Sequence, residues 1–325
     1  MKQLTQGHAR ACANIALAKY WGKSDEPLNL PAVPSISVTL DALVTETTVV
    51  PDESLAHDVV ILDGTERHDA DAHRARELLA RVRTRAGTAV NARVESRNHF
   101  PTASGLASSA SGFAALATAA CRAYGVDASL PELSAMARRS SASAARSLYG
   151  GFVELPAGVP GDDTLAASPL APAEHWDVAV VIALASLARK KTPSRDGMLE
   201  TARTSPFYAA WLAVAPRYAH EVREGILARD LERVGRAMEA STFAFHASAW
   251  AAVPAVRYFA PATASLLDAV EALRARGVGA WATMDAGPHV KVLCLASDAD
   301  VVREAVQATG AAVDVRVARP GPGVS

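Results

Sequence analysis

Residues 98–125, NHFPTASGLASSASGFAALATAACRAYG, decide how this chain is read. The first twelve residues hold Pro101, Thr102, Ser104, Gly105, Ser108 and Ser109, side chains too small or too polar to build a core. The remainder is alanine-rich and ends at Gly125. Alanine has the highest intrinsic helix propensity, and glycine commonly stands just past a helix end. The pattern therefore predicts a small-residue loop opening into a helix. At such a junction backbone N–H groups can close on a phosphate, with the partial positive charge of the helix N-terminus behind them. Ser108 and Ser109 can also donate hydroxyls to phosphate oxygens or sit on a metal ion. This is not the G-x-x-x-x-G-K-[ST] loop, and it brings no lysine. Taken alone it is also what an N-cap followed by a small-residue packing helix looks like.

Working outward, residues 35–50 (SISVTLDALVTETTVV) alternate and are rich in Val, Ile and Thr, the pattern of half-buried strands. Residues 59–62 before Asp63-Gly64, and 89–96, read as further strands. Residues 68–85 carry apolar positions at helical spacing with a solvated basic face. Beyond Gly125 a helix is expected at 130–143, with Pro131 in its first turn, and then a strand at 147–155 with a Gly150-Gly151 bend. Residues 156–172 are dense in Pro, Gly, Ala and Asp, which places a domain boundary there. The second half gives strands at 176–184, 279–283, 290–296 and 312–317, helices at 198–228, 231–249 and 263–276, and a loose tail at 320–325. Strands and helices mix without a regular βαβ repeat, so the expected class is α+β in two domains.

The 325 residues include 33 Lys+Arg and 34 Asp+Glu, a formal charge of −1, and 50% are hydrophobic. With mean hydropathy of +0.10 and pI near 6.8, this is a globular chain with ample core. It lacks the overall basic field of general nucleic-acid binding. Cys12, Cys121 and Cys294 are scattered and odd in number, which fits a reducing compartment and no CxxC metal site. The first residues show no uninterrupted apolar stretch with a cleavage site, and the apolar run at 176–188 is too short for a bilayer. A cytoplasmic protein with neither nucleic-acid nor membrane partners is expected.

Four further segments carry charge or hydroxyls in places that chemistry could use. Asn14-Ile15-Ala16-Leu17-Ala18-Lys19-Tyr20-Trp21-Gly22-Lys23 ends an apolar strand-like stretch on two lysines, either cations for a phosphoryl or carboxylate group or snorkelling side chains. Ser140-Ser141-Ala142-Ser143-Ala144-Ala145-Arg146-Ser147 surrounds with hydroxyls an arginine, the side chain best shaped to clamp a carboxylate or phosphate at two points. Met284-Asp285-Ala286-Gly287-Pro288-His289 sets a carboxylate at a strand end, although the same letters make an ordinary turn. Residues 190–198, KKTPSRDGM, add three cations and two hydroxyls in a loop. No Ser-His-Asp order and no protein-held metal spacing is visible.

Together NIALAKYWGK, LNLPAVPSISVTLD, NHFPTASGLASSASGFAALA, RRSSASAARSLYGGFVEL, the GM of RDGM, TSPFY and MDAGPH occur in the order, and at roughly the spacing, of diphosphomevalonate decarboxylases. The chain resembles that family of the GHMP kinase superfamily from about residue 14 to 293. The resemblance implies a two-domain, GHMP-kinase-like α+β fold with the active site in the cleft between domains. It places an N-terminal domain with the phosphate loop at 1–170 and a C-terminal ferredoxin-like domain at 171–325. It further implies an ATP- and Mg2+-dependent homodimer that converts mevalonate 5-diphosphate to isopentenyl diphosphate, ADP, phosphate and CO2 without an organic cofactor.

By the same resemblance, Ser104, Gly105, Leu106, Ala107, Ser108 and Ser109 hold ATP phosphates, with Ser108 near Mg2+, and Ser96 and Asn98 lie towards the nucleotide. Asp285 faces the tertiary 3-hydroxyl, orienting it or accepting its proton. Arg146 holds the substrate carboxylate and Lys19 balances charge on the transferred phosphate. Tyr20, Trp21, Gly22, Lys23, Ser141, Ala142, Ser143, Ala144, Ala145, Ser194 and Met198 line the rest of the substrate site. The family's Gly-Ser-Gly-Ser appears as Ser140-Ser141-Ala142-Ser143, its Asn-Ser-Ser as Val33-Pro34-Ser35, a threonine as Arg195, and the last residue of DAGPN as His289. These departures keep open a sibling that uses mevalonate 5-phosphate or phosphorylates mevalonate at its 3-hydroxyl. A non-catalytic nucleotide-binding protein would have lost one of Asp285, Lys19 and Arg146, and none is lost.

Overall fold

The computed structural model describes residues 4–100, 108–186 and 192–325. The chain begins with β1 (Gly7–Ala18), a small hairpin of β2 (Lys23–Asp25) and β3 (Leu30–Pro31), and the 17-residue β4 (Ser35–Pro51). Then follow β5 (Val59–Leu62), β6 (Thr65–Glu66), helix α1 (Ala70–Ala86) and β7 (Ala92–Asn98). Helices α2 (Ser108–Ala123) and α3 (Leu130–Ser140) lead through a short 3-10 turn, Ala142–Leu148, to β8 (Phe152–Leu155) and β9 (Ser168–Ala171).

Apart from β2 and β3, which pair only with each other, these strands form one seven-stranded sheet in the order β6-β5-β7-β4-β8-β9, with β1 antiparallel to β4. Strand β4 is long enough to take two partners on its other side, β8 at 35–38 and β7 at 45–51. Behind the sheet, α1 turns Ala72, Ala75, Leu78, Leu79 and Val82 into the core at i, i+3, i+4 spacing. It is capped by Asp69 and closed by Gly87 in the left-handed conformation. The alanines of α2 fill the same core, and their small side chains let the helix lie close to β1.

The second sheet is built from β10 (Val178–Leu184), β11 (Ala280–Thr283), β12 (Val290–Leu295) and β13 (Asp314–Ala318), in the order β11-β12-β10-β13. Helices α4 (Ser194–Thr204), α5 (Tyr208–Ala228), α6 (Leu231–Trp250), α7 (Pro261–Ala275) and α8 (Ala299–Ala308) complete the chain. Alternate residues of β10 divide the packing. Ala179, Val181 and Ala183 meet α7 and α8, whereas Val180, Ile182 and Leu184 share a core with Ile15, Leu17, Ile36 and Val38 of the first sheet and with α5 and α6. Among the described residues no helix is long and apolar enough to cross a membrane.

Four expectations need correction. The helix expected at 130–143 ends at Ser140 and the strand expected at 147–155 is only Phe152–Leu155, because Ala142–Leu148 between them forms the 3-10 turn. The helix expected at 198–228 is two helices, broken at Ser205-Pro206, as the restriction before proline requires. Helix α8 was not read from the sequence. Residues 320–325 are not loose: Gly321 N–H donates to the Thr39 carbonyl, the Gly151 N–H to that of Gly321, and Ser325 exchanges backbone bonds with Arg10. A Cβ at Gly321 would stand 2.6 Å from the Asp41 backbone nitrogen, so glycine permits this close run along the first sheet.

Candidate active site

Both sheets contribute to one charged cluster. Lys19 follows the end of β1, and its backbone N–H donates to the Ser241 hydroxyl of α6 at 3.0 Å. Thr242, the next residue of α6, meets Thr283 at 3.0 Å, and Thr283 also donates to the Ala16 carbonyl of β1. This hydroxyl ladder fixes the end of β1 against the end of β11, two residues before Asp285. There the Lys19 ammonium donates to Oδ1 of Asp285 at 2.8 Å and the Lys291 ammonium donates to Oδ2 at 2.8 Å. Both lysines are almost wholly buried, while the Asp285 side chain is 26% exposed.

Burial by itself would raise the pKa of Asp285. The two ammonium groups, Lys19 first, outweigh it and hold the carboxyl well below the usual carboxylate range. Burial lowers the Lys19 ammonium to about 8 against the pull of Asp285, and lowers the Arg146 guanidinium to about 10. Arg146, on the 3-10 turn, donates through Nε to Ser37 at 3.0 Å, through Nη1 to Ser35 at 2.7 Å and through Nη2 to Asn14 at 3.2 Å. Ser35 and Ser37 stand two apart on β4 and so share a face of the sheet. Asn14 is held in turn by Ser147 and the Ser143 carbonyl. Three of the five guanidinium N–H groups are thus engaged, leaving two for a ligand.

The serines around Arg146 join this cluster to the start of α2. Ser141 donates to Ser109 at 3.5 Å and meets Ser143 at 3.1 Å. Ala142, Ala144 and Ala145 are buried beneath them. Ser141 has φ of −153°, and no residue at 140–143 takes positive φ, so the backbone accepts Ser140 and Ala142 where the family has glycines. At the other side of α2, Thr45 donates to Asn98 Oδ1 at 2.6 Å and meets Ser111 at 2.6 Å, while Ser96 meets Thr47 at 2.7 Å. Asn98 is thereby linked through Thr45 to Ser111 in the first turn of α2. Ser104, Gly105, Leu106 and Ala107 lie outside the described residues, as do Lys190 and Lys191.

Not every expected residue joins the charged cluster. Trp21 is 1% exposed and packs in an apolar cluster with Met198, Trp211, Phe245 and Tyr258, its ring 5.0 Å from that of Phe245. Trp21 and Met198 therefore set the wall behind Tyr20, Lys23 and Ser194. Lys23 is lowered to about 8 by burial first and then by Arg195. Gly22 sits at φ +107°, and a Cβ there would stand 2.1 Å from the Tyr208 hydroxyl. Gly22→Ala is expected to cost about 1–3 kcal/mol, read as a lower urea midpoint at unchanged slope; an unshifted midpoint would show that the turn tolerates a side chain. His289 replaces the family's asparagine, and its Nδ1 accepts from the Ala185 N–H at 3.1 Å.

Lys291, Asn14, Ser35, Ser37 and Ser241 were assigned no role from sequence. A lone lysine inside the apolar run VKVLCL was the one signal that could have found the first of them. A separate open groove of about 770 Å³, lined by Arg236, Glu239, Arg274 and Trp281 among others, holds none of the cluster's residues. Its charges are already paired, Arg236 with Glu232 and Arg274 with Glu239.

Two α+β units, joined where Lys19 of the first meets the lysine-flanked Asp285 of the second, make a two-domain GHMP-kinase-like protein. Two family models match, the diphosphomevalonate decarboxylase-like N-terminal domain at 11–166 and the mevalonate 5-diphosphate decarboxylase C-terminal domain at 180–316. The diphosphomevalonate decarboxylase of Candida albicans is 38% identical over 297 residues, 87% of this chain and 82% of that protein. A solved structure of MDDEF in complex with MVAPP, AMPPCP and magnesium superposes with a TM-score of 0.93 at 39% identity, covering 99% of each chain. The Staphylococcus aureus mevalonate diphosphate decarboxylase superposes with a TM-score of 0.93 at 36% identity, covering 100% of this chain and 98% of that one. The chain belongs to the diphosphomevalonate decarboxylase family and is an enzyme of that type.

Proposed function

We propose that this chain carries out ATP-dependent decarboxylation of mevalonate 5-diphosphate to isopentenyl diphosphate, releasing ADP, phosphate and CO2. The observation that carries the reading is the Lys19–Asp285–Lys291 cluster at 2.8 Å on each side, with Arg146 beside it. A tertiary alcohol leaves poorly and its phosphate leaves readily, so the first task is phosphoryl transfer to the 3-hydroxyl. Asp285 is ionised and open to the cleft, placed to accept a hydrogen bond from that hydroxyl and orient its oxygen towards the γ-phosphoryl group. Lys19 offsets the charge that moves with the phosphoryl group. Arg146 presents two free N–H donors to the substrate carboxylate, which departs as CO2 when the 3-phosphate leaves. The electrons of the breaking C–C bond become the double bond.

The nucleotide phosphates belong at residues 104–109, with Ser96 and Asn98 beyond them. Among the described residues no group of three His, Cys, Asp or Glu side chains could hold a metal. One hydroxyl, Ser108, suits Mg2+, which keeps waters and leans on phosphate oxygens. Tyr20, Lys23, Ser141, Ser143 and Ser194 take the remainder of the substrate, with Lys23 and Arg195 towards its diphosphate. The domain limits 1–170 and 171–325, a homodimer and a cytoplasmic location complete the reading; the three buried free cysteines suit a reducing compartment.

The assay offers ATP and Mg2+ with mevalonate, its 5-phosphate or its 5-diphosphate and follows ADP and CO2. Both products from the diphosphate alone are expected. ADP without CO2 would make the protein a 3-kinase, and CO2 from the monophosphate would change the substrate. The pH dependence follows from the lysines: a base with lowered pKa loses its charge as pH rises through that value. Both Lys19 and Lys23 stand near 8, so kcat/KM for the diphosphate is expected to fall above pH 8. A profile flat to pH 10 would oppose the roles given to both.

A further inference from the structure

Lys291 lies in β12, an interior strand of the second sheet, flanked by Val290 and Val292 and 0% exposed. An ammonium in such a place is tolerated only beside an ionised partner. The strand register supplies that partner. Lys291 stands directly across from Thr283, and Asp285, two residues further, continues the same face past the strand end. The Lys291 ammonium therefore reaches Oδ2 of Asp285 from the second sheet while Lys19 reaches Oδ1 from the first. Cations on two different sheets fix both the plane of the carboxylate and its charge, and only its remaining lone pairs face the cleft.

We infer that Lys291 is a positioning residue of the reaction proposed above: it locks Asp285 as an ionised, rotationally fixed acceptor for the substrate hydroxyl, without touching the transferred group. The inference rests on the decarboxylase reading of the cleft. It also assigns Asp285 an orienting role, because a proton taken up by this carboxylate would have to sit between two ammonium groups. Four groups face Asp285: Lys19 from the end of β1, Lys291 from β12, Arg146 from the 3-10 turn and His246 from α6, which hydrogen-bonds the Asp285 backbone. His246 is held neutral, pushed down to about 3 by burial first and then by Lys19. Below pH 8 the charge on the carboxylate is thus governed by the two lysines.

The test compares wild type, Lys291→Met and Lys291→Gln by the pH profiles of kcat and kcat/KM with mevalonate 5-diphosphate, and by direct titration of ATP binding. Wild-type turnover checks the reading itself; silence of the wild type with all three mevalonates would bring down that reading, and this inference with it. With the wild type active, Lys291→Met is expected to lose about 100-fold in kcat while ATP affinity stays within about threefold. Removing one cation raises the pKa of Asp285, so an acid limb should appear at higher pH than in the wild type. Lys291→Gln keeps a hydrogen-bond donor without the charge and should show the same acid limb with a smaller loss in kcat. Wild-type kcat in either variant, or a loss with no acid limb, would overturn the assignment. Thermal unfolding gives an independent reading. In the Asp285→Asn background Lys291→Met should raise the melting temperature, because it removes a cation that has lost its partner; a fall as large as in the Asp285 background would mean the lysine is only a packing element.

Discussion

Asp285→Asn is expected to lose at least about 10³-fold in kcat, with ATP bound as in the parent. Asparagine keeps the shape and loses the charge, so its effect isolates electrostatics. Its Nδ2 is a donor and would face one of two ammonium groups that each need an acceptor at 2.8 Å. The amide either turns, leaving Lys19 or Lys291 without a partner, or withdraws from both. Removing one member of a buried ion pair costs about 3–5 kcal/mol, and less here because Asp285 is 26% exposed. The substrate hydroxyl loses its anionic acceptor in either case. Stopped-flow or coupled measurement of ADP release, beside calorimetry of ATP binding, decides the matter. Turnover within tenfold of the parent would sink the role of the carboxylate, and loss of ATP binding would show that the mutation had damaged the fold instead.

The same cluster shows where reading a sequence succeeds and where it stops. Strands and helices were legible wherever burial imposes a period: the far end of β4, 45–51, alternates because one face there is solvated, whereas 35–40 are buried on both faces and were legible only by their Val, Ile and Thr content, and α1 repeats at i, i+3, i+4 because one stripe is buried. Helix α8 escaped because ten residues with Ala299, Val302 and Val306 buried leave too short a stripe to stand out. The tail at 320–325 read as loose because Pro and Gly predict local freedom, whereas backbone bonds to Thr39, Gly151 and Arg10 fix it. Those partners lie more than 160 residues away, and no local pattern announces them.

Among the site residues, Lys19, Arg146 and Asp285 were legible because a charge beside a strand or helix end stands out. Their supports were not. Ser35, Ser37 and Asn14 are neutral polar residues in β-strands, given no role by their local sequence, and acquire meaning only when the 3-10 turn brings Arg146 onto that face. Lys291 is the opposite case, a charge in plain view whose apolar neighbours concealed that it had a carboxylate to reach. The cluster as a whole carries three buried cations against one carboxylate, an excess of positive charge in a place poor in water. Such an arrangement is costly for the empty protein and is relieved by an anionic substrate. Affinity for a carboxylate bearing several phosphates follows from the charge count before any single contact is considered.

Arg146 tests that view most sharply. Arg146→Lys is expected to lose about 100-fold or more in kcat/KM for mevalonate 5-diphosphate, with ATP affinity within about threefold. Lysine retains the charge but has no fork, so it cannot hold Ser35, Ser37 and Asn14 while offering two parallel donors to a carboxylate. Were the site's excess charge alone sufficient, Lys would serve as well as Arg. Arg146→Ala should fall further, because the pocket then has neither charge nor donors and leaves three buried polar side chains without their partner. The discriminating measurement pairs each variant with two substrates, the diphosphate and its analogue lacking the carboxylate, and follows phosphoryl transfer as ADP. If Arg146 grips the carboxylate, both variants lose most of their discrimination between the two; equal losses on both substrates would place the arginine on the phosphoryl group instead.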